Sequence, residues 1–196
     1  MKVVYLTGAP GSGKTTALNG LLSRMSNVAG WRYSERLSQH IQQKSGASVE
    51  HEALRRASAT LVSPDDIAAV DAALVEYVGL SRASRHVIID SHPVTKEHFG
   101  FRCTPFSVGR LTSLGLDEIW ITYLDPATTL LRLDSDQTGR QAISREEAAM
   151  HSSLQASIAI QYGILAGCPV YFFDASAPAD QVVDHMQATR LLLILL

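Results

Sequence analysis

The sequence predicts an α/β fold, a doubly wound parallel sheet, on three observations. Short runs of Val, Ile, Tyr and Phe without polar alternation recur along the chain, as in strands covered on both faces. Segments with helix-start signatures separate them, which makes successive βαβ units. A glycine-rich turn joins the first run to the first helical segment, and ligands of such sheets bind beyond the carboxyl ends of the strands.

The elements follow in order. "KVVYL" at the start is the first strand, and "TTALNGLL" opens the first helix. A weaker strand lies near "GWRYS" (30–34). "SPDD" (63–66) starts a helix, with Ser63 as N-cap, Pro64 at the first helical position and two acids in the first turn. "HVIID" (86–90) and "EIWITYL" (118–124) are further strands. "SREE" (144–147) has the Ser-x-x-Glu form of a capping box, and "PVYFF" (169–173) is the last strand. With no repeat and no linker composition, residues 1–196 read as a single domain.

Composition bounds the function. Lys and Arg number 17 against 19 Asp and Glu, a net charge of −2, which argues against a nucleic-acid-binding surface with its basic excess. The two cysteines, Cys103 and Cys168, make no disulfide framework and lack metal spacing, which fits a cytoplasmic chain. The opening apolar stretch is too short for a signal peptide. "LLLILL" at the end is far below the roughly 20 residues of a membrane span. It reads as a terminal element packed on the body or as a contact with a partner subunit.

"GAPGSGKT" matches Gly-x-x-x-x-Gly-Lys-Ser/Thr from Gly8 to Thr15. Gly8, Gly11 and Gly13 permit backbone conformations that let successive N–H groups converge on phosphate oxygens, with Ala9, Pro10 and Ser12 filling the loop. The helix start near Lys14 adds its positive dipole end. Lys14 would reach the β- and γ-phosphates of ATP. Thr15 would place its hydroxyl on Mg²⁺, and Thr16 would lie at the α-phosphate. The signal is strong for a nucleoside triphosphate and nearly silent on the reaction.

Asp90, at the end of "HVIID", is the expected acid for the Mg²⁺ shell. His92 is a candidate for the acceptor. "LLRLDSDQTGRQAIS" (130–144) reads as a short lid, about 134–143, in which Arg132 and Arg140 would neutralise the transferring phosphoryl group and exclude water. Arg56, within acceptor-side helices about 34–82, is a candidate for gripping an acceptor phosphate.

These residues together resemble the archaeal-type adenylate kinases, a branch of the P-loop nucleoside monophosphate kinases. The likeness rests on the phosphate loop, "DSH" (90–92), "GF" (100–101), "RLDSDQTGR" and "QYGILAG" (161–167), and it spans residues 2 to about 175. It implies a three-layer P-loop nucleoside kinase fold with a five-stranded parallel sheet and short lid. The implied reaction is ATP + AMP to two ADP with Mg²⁺. It also implies "DASAP" (174–178) against the donor adenine and a tendency towards homo-oligomers. The chain departs from the family where Leu131, Thr138 and Gly139 stand beside the lid arginines. It departs again at Gln155 and Ala156, where the family carries an asparagine and an arginine, and at Thr60 on the acceptor side. The donor half is intact and the acceptor half altered. Two other readings therefore stay open: a kinase of the same fold acting on a different nucleotide or small metabolite, and a nucleotide-switched regulatory ATPase.

Overall fold

The computed structural model describes residues 1–45, 62–135 and 143–191. Five strands form one parallel sheet in the order β2-β3-β1-β6-β7. They are β1 (Val3–Thr7), β2 (Val28–Arg32), β3 (His86–Asp90), β6 (Glu118–Tyr123) and β7 (Val170–Asp174). The weak strand expected at 30–34 lies two residues earlier, so that its glycine, Gly30, is interior and Tyr33 begins the following helix.

The helices cover both faces. On β1, Val4 and Leu6 pack with α1 (Lys14–Arg24) and α7 (Ala179–Leu191), through Leu18, Leu21, Val183 and Met186. Val3 and Tyr5 point the other way, into a core shared with α3 (Pro64–Ser81), α4 (Val108–Leu114) and α6 (Arg145–Ala166). Burial of alternate residues on opposite faces explains why the strand reads as an unbroken apolar run. Three layers result.

Both expected caps form. The Ser63 side chain accepts from Asp66 N at 3.2 Å while the Asp66 carboxylate accepts from Ser63 N at 3.0 Å. Ser144 and Glu147 make the same reciprocal pair. Each serine cap is worth about 1 kcal/mol. Asp66 also receives Lys44 Nζ at 2.8 Å and a contact from His40 at 3.1 Å, which ties α2 (Tyr33–Ser45) to the start of α3.

A hairpin is unforeseen in the sequence. After β3 the chain forms an antiparallel hairpin, β4 (Val94–Glu97) with β5 (Gly100–Cys103). Val94 and Glu97 are buried, and Glu97 receives the Thr95 hydroxyl at 3.1 Å and faces Arg102 at 3.3 Å. The remaining helix, α5 (Pro126–Ser135), follows β6 and runs toward the phosphate loop.

Candidate active site

The loop between β1 and α1 is built on three glycines with φ of 153°, 81° and 83° at Gly8, Gly11 and Gly13. No non-glycine residue among those described has positive φ. At Gly8 the reason is also steric: a Cβ there would lie 2.4 Å from the Thr122 carbonyl oxygen and 2.5 Å from its hydroxyl oxygen. Ser12 is buried and shares a 2.8 Å hydrogen bond with the Thr122 hydroxyl, which fixes the loop to β6. Lys14 Nζ donates to the Gly8 carbonyl oxygen at 2.7 Å, so the ammonium group is folded back over the loop.

Parallel pairing sets the neighbouring acid. Leu6 on β1 is in register with Asp90 on β3, and Arg32 on β2 with Asp90 from the other side. Burial pushes the Asp90 carboxyl above the usual carboxylate range, against the opposite pull of Lys14 and Arg32. Asp90, Lys14 and Thr15 line the same cavity. Mg²⁺ takes one or two protein oxygens and fills its octahedron with water and substrate phosphates. The Thr15 hydroxyl and the Asp90 carboxylate are hard oxygen donors of that kind, and they fit such an ion.

Two cavities meet at the loop. One, a donor-side cleft of about 430 Å³, runs along Gly11, Gly13 and Thr16 to Arg132, Ala175 and Ala177. The segment 174–178 therefore lies beside the loop, as the resemblance implies for a donor nucleotide. Arg132 donates from Nη2 to the Ala175 carbonyl at 2.9 Å and from Nη1 to the Gly11 carbonyl at 3.4 Å, so it spans this cleft. The other, a hairpin-side cavity of about 290 Å³, has walls from the end of β3, the hairpin, α2, α3 and α6. His92 lines it, beside Ser91 and Pro93. Pro10, Lys14 and Thr15 line both cavities. The phosphate loop is the wall between them.

Arg56 and Arg140 lie outside the described residues, as do Thr60, Thr138, Gly139, most of the expected lid and residues 192–196 of the apolar tail. The departures within the described residues have structural explanations. Gln155 is buried, donates to the Val94 carbonyl at 3.3 Å and accepts from the Thr7 hydroxyl at 3.5 Å, so it joins α6 to the hairpin and to the root of the phosphate loop. Leu131 is on the exposed side of α5.

The sequence left three lining groups unassigned. His151 is buried in α6, 3.0 Å from the Val94 carbonyl oxygen, and its ring meets Phe101 edge-on. Burial holds its imidazole below the usual range, with Lys14 and Lys96 adding to the effect. Asp71 accepts the Tyr33 hydroxyl at 2.7 Å, and burial raises its carboxyl. Tyr5 is wholly buried beneath the same cavity. A signal for Asp71 existed: it falls beside the buried stripe Val70, Leu74, Val78, where a charged residue is rarely spent without a partner.

Residues 7–149 match the family model described as AAA domain. The chain belongs to that family. No curated protein matches it. Among solved structures it is similar to an unliganded sugar kinase from a Janibacter species, with a TM-score of 0.54 at 13% identity, covering 96% of this chain and 93% of that one. It is also similar to the tunicamycin resistance protein of Deinococcus radiodurans, at TM-score 0.58 and 16% identity, covering 96% and 94% of the two chains. A chain of an RNA repair complex gives 0.53 at 16% identity, covering 82% of this chain and 45% of its own length. At such identities the likeness is one of fold, and that fold is the P-loop kinase fold. This AAA-domain chain carries it across nearly its whole length.

Proposed function

We propose that this chain is an ATP-dependent phosphotransferase that moves the γ-phosphoryl group to a small acceptor held in the hairpin-side cavity. One observation carries the reading: Pro10, Lys14 and Thr15 form a wall common to a donor-side cleft and a separate, mostly apolar cavity. A hydrolase needs only the first. The donor triphosphate lies on the loop amides, with Lys14 released from the Gly8 carbonyl onto phosphate oxygens. Mg²⁺, bound with ATP, would be held by Thr15 and Asp90 and supplies charge neutralisation. An acceptor oxygen attacks the γ-phosphorus, the bond to the β–γ bridging oxygen breaks, and ADP leaves. Positioning and charge stabilisation account for catalysis, and no covalent intermediate is needed.

AMP is the acceptor to test first, because the sequence resembles adenylate kinases from the phosphate loop to residue 175. A second reading, phosphorylation of an alcohol without a phosphate of its own, is favoured by a specific feature. Two carboxylates, Asp71 and Asp90, line the cavity, while the hairpin cations Lys96 and Arg102 face Glu147 and Glu97. The names of two fold neighbours, a sugar kinase and a tunicamycin resistance protein, suit that reading too. There the proton of the attacking hydroxyl passes to Asp90.

Thermal stabilisation by ATP, AMP and a bisubstrate dinucleotide, together with ADP release against phosphorylated and non-phosphorylated acceptors, tests both. A bisubstrate compound outstripping ATP and ADP release that depends on AMP are the expected results. An absence of stabilisation by ATP–Mg²⁺ overturns the proposal. ADP release driven only by a non-phosphorylated alcohol selects the second reading.

A further inference from the structure

Phosphoryl transfer as described leaves one part of the hairpin-side cavity without a task. Asp71 on α3 is 8% exposed and accepts one hydrogen bond, from Tyr33 at 2.7 Å; no other described residue donates to it. Tyr5 is 0% exposed, and its hydroxyl has no partner in hydrogen-bonding geometry among the described residues, although the Ser91 and Thr7 hydroxyls lie close by. Tyr5 and Tyr33 both meet the Phe106 ring edge-on, at 6.1 Å in each case, so these groups occupy one aromatic corner. Tyr5 reaches towards Asp90 at the reacting end, while Asp71 sits farther along the corner with a different charged neighbour. The charged neighbours of Asp90 are Lys14, Arg32 and Glu35, whereas the neighbour of Asp71 is Arg110 on α4.

We propose that the Tyr33–Asp71 pair, together with the Tyr5 hydroxyl, is the specificity subsite for the ring end of the acceptor. It selects a ring compound that is uncharged at that end and presents an N–H or O–H donor. A carboxylate with spare acceptor capacity repels a phosphate and rewards a donor, and a site built to pair a donor rejects the analogue lacking it. The aromatic walls suit a flat ring. An orphaned buried hydroxyl is a standing cost that an acceptor reaching the floor would relieve. The inference rests on the phosphotransferase reading.

The test uses matched acceptors that keep or lack the ring amine: AMP with purine riboside monophosphate, and adenosine with purine riboside. In the full chain the amine member of whichever pair is phosphorylated is preferred about tenfold or more in kcat/KM. Asp71→Asn brings that ratio to within about threefold while the KM for ATP stays within about twofold. Tyr5→Phe raises the melting temperature of the ligand-free protein, because it removes the orphaned hydroxyl, yet raises the acceptor KM. An unchanged preference in Asp71→Asn, or no preference in the parent chain, overturns the inference. If ATP is bound and hydrolysed but neither pair accepts phosphate, the subsite reading falls while nucleotide binding stands. If ATP does not bind, both fall.

Discussion

The ammonium nitrogen of Lys14 sits 2.7 Å from the carbonyl oxygen of Gly8, six residues before it, so the cation is stored on the loop it would serve. A triphosphate on the loop amides offers it a stronger partner than a neutral carbonyl. Lys14→Ala is therefore expected to lower turnover about 100- to 1,000-fold, with a melting temperature within about 3 °C of the parent. Coupled ADP release and a thermal melt of the same sample check both halves. Near-parental turnover in a well-folded variant removes the phosphate loop from the mechanism.

Gly8 and Gly13 separate two costs that a glycine can hide. At Gly8 an added methyl meets the Thr122 backbone carbonyl at 2.4 Å, which cannot swing away, and φ is 153°. At Gly13 the nearest atoms are 3.7 Å away and only the positive φ of 83° resists a side chain. Gly8→Ala should lose about 2–4 kcal/mol of stability, and Gly13→Ala about 1–2 kcal/mol. Urea unfolding of the two variants tests the order. A larger loss at Gly13 than at Gly8 contradicts the loop geometry.

The layered sheet was legible in the sequence because its signals are local. The runs "HVIID" and "EIWITYL" fall on β3 and β6, and Ser63 and Ser144 cap the helices that their Ser-x-x-acid patterns mark. The phosphate loop is contiguous and so could be read whole. The hairpin β4–β5 could not. Its strands have four residues each, its turn is His98-Phe99 with no Asn-Gly or Asp-Gly signal, and its buried acid, Glu97, faces Arg102 on the opposite strand. The aromatic corner was hidden for a similar reason. Tyr5, Tyr33, Asp71 and Phe106 come from four distant segments, and nothing local shows that they meet.

His151 gives the structure a pH signature. Its nitrogen lies 3.0 Å from the Val94 carbonyl, which a neutral ring can satisfy by donating, and burial beside Lys14 and Lys96 holds its pKa below the ordinary 6.5. The unfolded chain then binds a proton more readily than the folded one. The contribution of His151 is complete above pH 6.5 and is lost as the pH falls through that value. His151→Gln keeps a donor for Val94 but cannot take up the proton. Urea unfolding at about pH 7.5 and about pH 5.5 should show the parent losing more stability on acidification than the variant. Equal losses in the two proteins would mean that His151 is not buried as a neutral ring.

Arg132 bridges two parts of the donor cleft with one planar group, giving Nη1 to Gly11 and Nη2 to Ala175. These carbonyls belong to the phosphate loop and to the segment after β7, and the guanidinium holds them at a fixed separation along the cleft. A lysine at this position has the charge, but its three N–H donors radiate from one nitrogen and cannot span the two carbonyls as the planar fork does. Arg132→Ala and Arg132→Lys are both expected to raise the KM for ATP about tenfold or more, with lysine recovering little. The acceptor KM should change far less, since Arg132 lines the donor-side cleft and not the hairpin-side cavity. If lysine restores the parental KM, Arg132 acts through its charge alone. The bridge between Gly11 and Ala175 then has no part in shaping the nucleotide cleft.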